Sequence, residues 1–420
     1  YHEIRRNVGI DFPVTGRLSL TEDTVDGRQM AETMAIVHDL QDLGFDGLNL
    51  SNGEYADGAP EIISSSFTPK GYNLVNAKRV RQNTHIPLCV ANGINDPMLA
   101  EDVLDEGITD FVGMARASLA DPYLPKKVAE GRLDDVNQCI RCLQGCEGSL
   151  MSGHTITCMV NPRLGKEYKY DFKPVPSKKV LVIGGGPAGL EAAITAARRG
   201  HDVTLWEAKS EFGGEFLPAA YPPAKGEYAQ MIHFLVRQLK IRGVHAELNH
   251  KATVEEVKAF HADKVIIATG AEPNLVKFPG LEKNHYAFAR DVLLGKVAVN
   301  GHIVIIGGGE VGTETAMSGA DLLRGDVTIV EPTPHIGAGL GRMTPTLRFF
   351  RDHQVKVMVK TNVEKITKDA VVVEHDGQES SLPADNVILS TGYHSITDLL
   401  DAFKDDPKVV GIGDATNCSN

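Results

Sequence analysis

Short apolar runs, each ending in a polar or glycine-rich loop and each followed by a stretch of helical periodicity, organise the first third of the chain. They predict strands at Val14–Leu20, Gly47–Leu50, Pro87–Ala91 and Asp110–Met114. Between and after them, helices are expected near Arg28–Leu43, Leu74–Gln82, Pro97–Glu106 and Pro125–Gly131. Repeated strand–helix units without a glycine fingerprint predict a parallel barrel, whose chemistry lies where strands run into loops. Four such units do not close an eight-stranded barrel. Residues 1–136 therefore read as a partial (β/α)8 barrel, strands five to eight, and the chain as a piece of something longer.

The pattern changes after a polar connection, Met159–Lys178, which carries Pro162, Pro174 and Pro176. Lys179–Ile183 is a buried-type strand that runs into Gly184-Gly185-Gly186-Pro187-Ala188-Gly189 and a helix. A second strand, Val203–Leu205, ends near Glu207. Glycines at 184, 186 and 189 permit a tight turn, close approach of a pyrophosphate and close helix packing, and the acid suits ribose hydroxyls. The motif then recurs. His302–Ile306 leads into Gly307-Gly308-Gly309-Glu310-Val311-Gly312, a helix over Thr313–Leu323 and a strand Val327–Val330 ending at Glu331. A carboxylate at Glu331 accepts from a 2′-hydroxyl and repels a 2′-phosphate, and no arginine follows closely, so NADH is expected over NADPH.

At the seam between the two patterns lies Cys139-Ile140-Arg141-Cys142-Leu143-Gln144-Gly145-Cys146, completed by Cys158. The spacing C-x2-C-x3-C-x11-C suits thiolate ligation of an iron–sulfur cluster, with tetrahedral zinc as the other metal reading and a disulfide as the plain one. Of the remaining cysteines, Cys89 reads as strand core. His201, His335 and His394 have no neighbours at metal-ligand spacing. The net charge of −12 and the lack of a basic, aromatic-interleaved stripe argue against a nucleic-acid partner. No apolar run approaches the length of a membrane span.

The ordered string Asp110-Phe111-Val112-Gly113-Met114-Ala115-Arg116, Leu119-Ala120-Asp121-Pro122, the cysteine run and Asn161-Pro162 resembles the Old Yellow Enzyme-related flavoproteins that carry an iron–sulfur cluster. That group includes 2,4-dienoyl-CoA reductase, enoate reductase and trimethylamine dehydrogenase. The resemblance implies FMN in the barrel, with Arg17 (Thr15-Gly16-Arg17) at the flavin's pyrimidine edge. It implies that Gly93, Ala115 and Arg116 hold the flavin phosphate, with Asn92 of the strand end Ala91-Asn92-Gly93 as a further cofactor-binding residue. It also implies a 4Fe–4S cluster on Cys139, Cys142, Cys146 and Cys158. Gly213-Gly214 and Ala268-Thr269-Gly270 resemble the FAD-binding subset of dinucleotide folds, and Asp414 in Gly411-Ile412-Gly413-Asp414 would contact FAD. Two nested units resemble the disulfide-reductase type of flavoprotein, with FAD in one and NAD(P) in the other. The expected organisation is a cluster segment and linker over 137–178, an FAD-binding domain over 179–280 and 390–420, and an NAD(H)-binding domain over 281–389.

The resemblance implies an NADH:flavin oxidoreductase acting on an activated C=C bond of a 2-enoate, enoyl or dienoyl thioester, or enone. Electrons would run from NADH to FAD, cluster, FMN and substrate. Tyr55, where the dienoyl-CoA reductase pattern carries histidine, is the candidate proton donor and turns the reading toward the enoate branch. An amine dehydrogenase resembling trimethylamine dehydrogenase and a non-catalytic electron-transfer flavoprotein subunit are the alternatives. The resemblance further implies a homo-oligomer in an anaerobe's cytoplasm, acting on a small unsaturated molecule without a membrane or nucleic-acid partner.

Overall fold

The computed structural model describes residues 1–420 apart from 23, 25, 55–61, 170–171, 282–285, 322–324, 339–342 and 419–420. It divides into two compact units, Tyr1–Gly165 and Lys166–Asn420.

In the first unit a short helix α1 (His2–Val8) precedes four strand–helix repeats. They are β1 (Thr15–Ser19) with α2 (Met30–Leu43), β2 (Gly47–Ser51) with α3 (Leu74–Arg81), β3 (Leu88–Ala91) with α4 (Pro97–Asp105), and β4 (Phe111–Gly113) with α5 (Ala115–Ala120) and α6 (Leu124–Ala129). The strands pair in parallel in the order β1-β2-β3-β4, as successive barrel strands do. Local chemistry sets the helix ends. Gln29 and Glu32 form a capping box on α2, while Asp96 caps α4 ahead of Pro97.

Strand alternation gives the sheet two unlike faces. Leu18, Leu48, Leu50, Leu88 and Val90 pack with Val37, Ala77, Val80 and Val103 of the helices into one core. The opposite face carries a row of aligned residues, Arg17, Asn49, Cys89 and Phe111. Cys89 is thus on the barrel-lining face and outside the core between Leu88 and Val90, contrary to the strand-core expectation; an apolar neighbourhood masked the alternation.

Beyond a three-residue helix α7 (Ser149–Met151), the second unit contains two parallel five-stranded sheets. The first uses β5 (Lys179–Ile183), α8 (Pro187–Arg198), β6 (Asp202–Trp206), α9 (Ala229–Ile241), β7 (His245–Glu247), α10 (Val254–Ala259) and β8 (Lys264–Ile267). The chain leaves through β9 (Ala271–Pro273) and builds β10 (Tyr286–Phe288), α11 (Ala289–Leu293), β11 (His302–Ile306), α12 (Glu310–Asp321), β12 (Asp326–Val330), α13 (Thr344–Asp352) and β13 (Lys356–Met358). An antiparallel trio follows, β14 (Thr361–Ile366), β15 (Ala370–His375) and β16 (Gln378–Pro383), before β17 (Asn386–Leu389). The return runs through β18 (Tyr393–Ser395), α14 (Asp398–Ala402) and β19 (Val409–Gly411).

The sheet orders are β19-β8-β5-β6-β7 and β10-β17-β11-β12-β13, and β9 pairs antiparallel with β18 where the chain crosses between them. The second sheet is therefore inserted between the last two strands of the first. Both are doubly wound, with ligand crevices expected at the strands' carboxyl ends. Among the described residues no helix is long and apolar enough to cross a membrane.

Candidate cofactor sites

The two glycine turns of the second unit are built from the same set of contacts. Gly184 and Gly307 sit at φ 105° and 106°, a conformation L side chains rarely adopt, and donate to Trp206 O and Val330 O at 2.8 and 2.9 Å. A Cβ on either would strike the next strand's end, at Ala268 O or Ser390 O. The middle glycines, Gly185 and Gly308, donate to the buried carboxylates of Glu207 and Glu331 at 2.6 and 2.7 Å. The other carboxylate oxygens accept from Lys209 N (2.7 Å) and Thr333 N (2.9 Å). Gly189 and Gly312 press against the carbonyls of Gly184 and Gly307, which is the close helix-to-turn packing the spacing predicts.

Gly186 and Gly309 differ. A Cβ there would meet nothing nearer than Gly214 Cα at 4.0 Å and Ala338 O at 3.9 Å. That open space at a helix start suits a pyrophosphate. Gly214 faces Gly186 across the first turn, and Gly413, next to exposed Asp414, packs on Ala188. Gly184, Gly186, Ala188, Gly189, Glu207, Gly214, Ala268 and Asp414 are thus gathered around one turn. Gly307, Gly309, Gly312 and Glu331 are gathered around the other.

In the first unit Asn92 (φ 95°), Gly93 and Arg116 converge on Ser64, a residue the sequence reading passed over. Arg116 donates to Ser64 O at 2.6 Å and to its Oγ at 3.2 Å, and Ser64 N donates to Asn92 Oδ1 at 3.1 Å. Ala115 opens α5 beside them. A Cβ on Gly93 (φ 72°) would lie 3.2 Å from both Ser64 Oγ and Gly71 N, so a side chain in this corner would be tightly packed on a strained backbone. Arg17 donates to Asn49 Oδ1 at 3.3 Å, and Asn49 Nδ2 donates to Cys89 Sγ at 3.7 Å. Tyr55 lies outside the described residues.

Cys139, Cys142, Cys146 and Cys158 line one pocket together with Arg116, Ile140, Leu143 and Val160. All six cysteines are free thiols. The wrapping segment is over-determined by hydrogen bonds: Asn95 Nδ2 donates to Cys139 O (2.5 Å), Asn137 Nδ2 to Val160 O (2.6 Å) and Thr157 N to Gly145 O (2.6 Å). Buried Arg141 donates to Ser65 O and Thr68 O at 3.0 and 2.6 Å, holding the run onto the barrel loop that carries Ser64. Left-handed Arg141 and Leu143 (φ 53° and 63°) turn the backbone around the cavity. A Cβ at Gly145 would lie 2.8 Å from Thr157 O, so only glycine fits there.

Burial pushes the Cys142 thiol up to about 12, with its cysteine neighbours adding repulsion. Cys139 and Cys158 are raised chiefly by burial too. Buried thiols held up in this way become thiolates most readily around added positive charge. Among the described residues no group of three or more His, Cys, Asp or Glu side chains is arranged to hold a metal ion.

Residues 2–135 match the NADH:flavin oxidoreductase / NADH oxidase family, and residues 178–409 match the pyridine nucleotide-disulphide oxidoreductase family. A metal reductase of Desulforamulus reducens is 33% identical over 448 residues, covering 98% of this chain and 67% of that protein. The chain belongs to the Old Yellow Enzyme-related flavoproteins. Another family member, a cinnamate reductase of Clostridium sporogenes, is 33% identical over 100% of this chain and 65% of its own length. A solved 2-naphthoyl-CoA reductase in complex with 2-naphthoyl-CoA gives a TM-score of 0.94 at 32% identity, covering 99% of this chain and 64% of that one. The chain spans about two thirds of the length of these flavoprotein relatives.

Proposed function

We propose that this flavoprotein chain takes electrons from NADH and directs them to an electron-poor C=C bond of a small acid, thioester or enone. When bound, NADH would supply hydride equivalents, FAD and a 4Fe–4S cluster would provide the two-electron and one-electron carriers, and FMN would provide the hydride chemistry at the alkene. The residues of the chain hold and orient these groups. Glu331 accepts from the ribose of NADH while Gly309 leaves room for its pyrophosphate, and Glu207, Gly186 and Gly214 do the same for FAD, with Asp414 at its ribityl side. Arg116, Ala115, Gly93 and Asn92 hold the FMN phosphate. Arg17 sets a cation at the flavin edge where reduction adds negative charge. Tyr55 donates the proton that completes the reduction.

The observation that carries this reading is the single cavity shared by Cys139, Cys142, Cys146, Cys158 and Arg116. It puts the proposed cluster ligands beside the arginine proposed for the FMN phosphate. The spacing of a tight cysteine trio with one distant cysteine supports a cluster over tetrahedral zinc, which more often uses two separated C-x2-C pairs. Similarity to a cinnamate reductase and a naphthoyl-CoA reductase supports a conjugated acyl acceptor. A complete second glycine turn ending in Glu331 argues against an amine dehydrogenase, which needs no NADH. The free thiols suit a reducing cytoplasm, and we expect a homo-oligomer.

Cys142→Ala tests the reading. It should abolish NADH-driven alkene reduction while leaving NADH oxidation by artificial acceptors. If both activities survive, the relay is wrong.

A further inference from the structure

One buried charge cluster in the second unit is not used by the cofactor sites. Lys225 lies between β6 and α9 of the first doubly wound fold, and is 4% exposed. Its Nζ pairs with Glu314 of α12, also 4% exposed, and lies 3.7 Å from Glu310 Oε1. The ammonium also stands 4.6 Å above the ring of buried Tyr228. Both acids belong to the inserted fold, one helical turn apart at the start of the helix that the second glycine turn opens. Taking such charges out of water is costly, so the pair holds only in a geometry that satisfies it.

The chain is bent to deliver this lysine. Ala224 is in the left-handed region (φ 66°), which disfavours a residue with a Cβ, and Lys225 N closes a turn onto Pro222 O at 3.0 Å. A second pair joins the same two folds, with Arg290 of α11 3.3 Å from Glu215 beside Gly214. Elsewhere the folds are linked by the antiparallel crossing strands β9 and β18. An apolar contact tolerates sliding, whereas a hydrogen-bonded ion pair has one register.

We propose that Lys225 is a positioning residue. It clamps the first turn of α12 onto the FAD-side fold and so sets how the nicotinamide end of one coenzyme meets the flavin of the other. This rests on the NADH-to-FAD assignment above. Closed in one register, the clamp raises the rate of hydride transfer without contributing to coenzyme binding: although Glu310 opens the same helix, the hydrogen bonds that shape the second glycine turn, Gly307 N to Val330 O and Gly308 N to the Glu331 carboxylate, lie within the inserted fold itself.

The test compares the native flavin-loaded chain, Lys225→Met and Lys225→Met/Glu314→Met. The single variant leaves a buried carboxylate without its cation and should lose thermal stability. The double variant removes both charges and should recover that stability. We expect NAD⁺ affinity in the double variant to stay within about twofold of native. Flavin bleaching by NADH should remain slow by about a hundredfold, since small misplacements cost that much. Amides of Ala271, Glu272, Tyr393, His394 and Ser395 should exchange faster in the double variant despite its recovered stability. Recovery of either the bleaching rate or the amide protection overturns the proposal, as does native behaviour of the single variant. If NADH fails to bleach the native protein, the coenzyme assignment itself falls.

Discussion

Two glycines of the second turn separate what binds coenzyme from what holds the fold. At Gly309 a methyl group meets no atom closer than 3.9 Å, so Gly309→Ala should fold and melt like the native protein. Its methyl, however, occupies the space through which a pyrophosphate approaches the backbone. At Gly312 the same methyl collides with Gly307 O, a backbone atom that cannot swing aside. Relieving that clash requires the helix to back off by about an ångström, an overpacking cost of about 1–3 kcal/mol. Charged to the coenzyme-competent geometry, that range is roughly 5- to 150-fold in Kd.

Calorimetric titration with NADH and a thermal melt on each variant resolve the two effects. Gly309→Ala should lose NADH affinity by at least about tenfold at unchanged Tm. Gly312→Ala should lose both affinity and several degrees of Tm. The FAD content should stay native in each, because Gly184–Gly189 is untouched. Native NADH affinity in Gly309→Ala would refute the reasoning, since that turn would then not be where the coenzyme docks.

Other outcomes follow from the same geometry. Glu331→Ser removes the carboxylate that excludes a 2′-phosphate and should narrow the NADH over NADPH ratio of kcat/KM by about tenfold or more; an unchanged ratio counts against Glu331. Asn49→Leu should free the Arg17 guanidinium and weaken FMN retention on gel filtration, while thermal stability falls little because Asn49 lies off the apolar core. Leu205→Ala, at a fully buried site of the first doubly wound fold, should destabilise by about 2–5 kcal/mol in chemical denaturation. Glu22 is held below the usual carboxylate range, first by the Arg28 side chain and then by its backbone N–H. Its contribution to stability is therefore full above the unfolded value of about 4.3 and is lost as pH falls through the lowered folded value. Arg28→Met should flatten that part of the acid melting curve.

What could be read from the sequence was what depends on near neighbours. Gly184–Gly189 with Glu207, and Gly307–Gly312 with Glu331, are local turns whose hydrogen bonds span one strand and one helix, so their spacing determines them. The strands Lys179–Ile183 and His302–Ile306 were legible for the same reason. Helix α12 begins at Glu310, three positions ahead of the expected Thr313, because the turn's last residues already lie on the helix. Cys89 was misjudged because apolar Leu88 and Val90 hide a strand whose two faces differ. Ser64 and Asn95 matter only through contacts far along the chain, and no local signal marks them. Lys225 was invisible for a related reason: a lysine after two prolines reads as a solvated loop. Only the docking of α12 encloses it.

The central claim is that Cys139, Cys142, Cys146 and Cys158 hold an iron–sulfur centre serving the flavin sites on the two units. Iron, acid-labile sulfide and zinc should be quantified on anaerobically purified protein. The account predicts about four irons and four sulfides per chain, and their loss in Cys142→Ala. One zinc per chain with neither iron nor sulfide would contradict it.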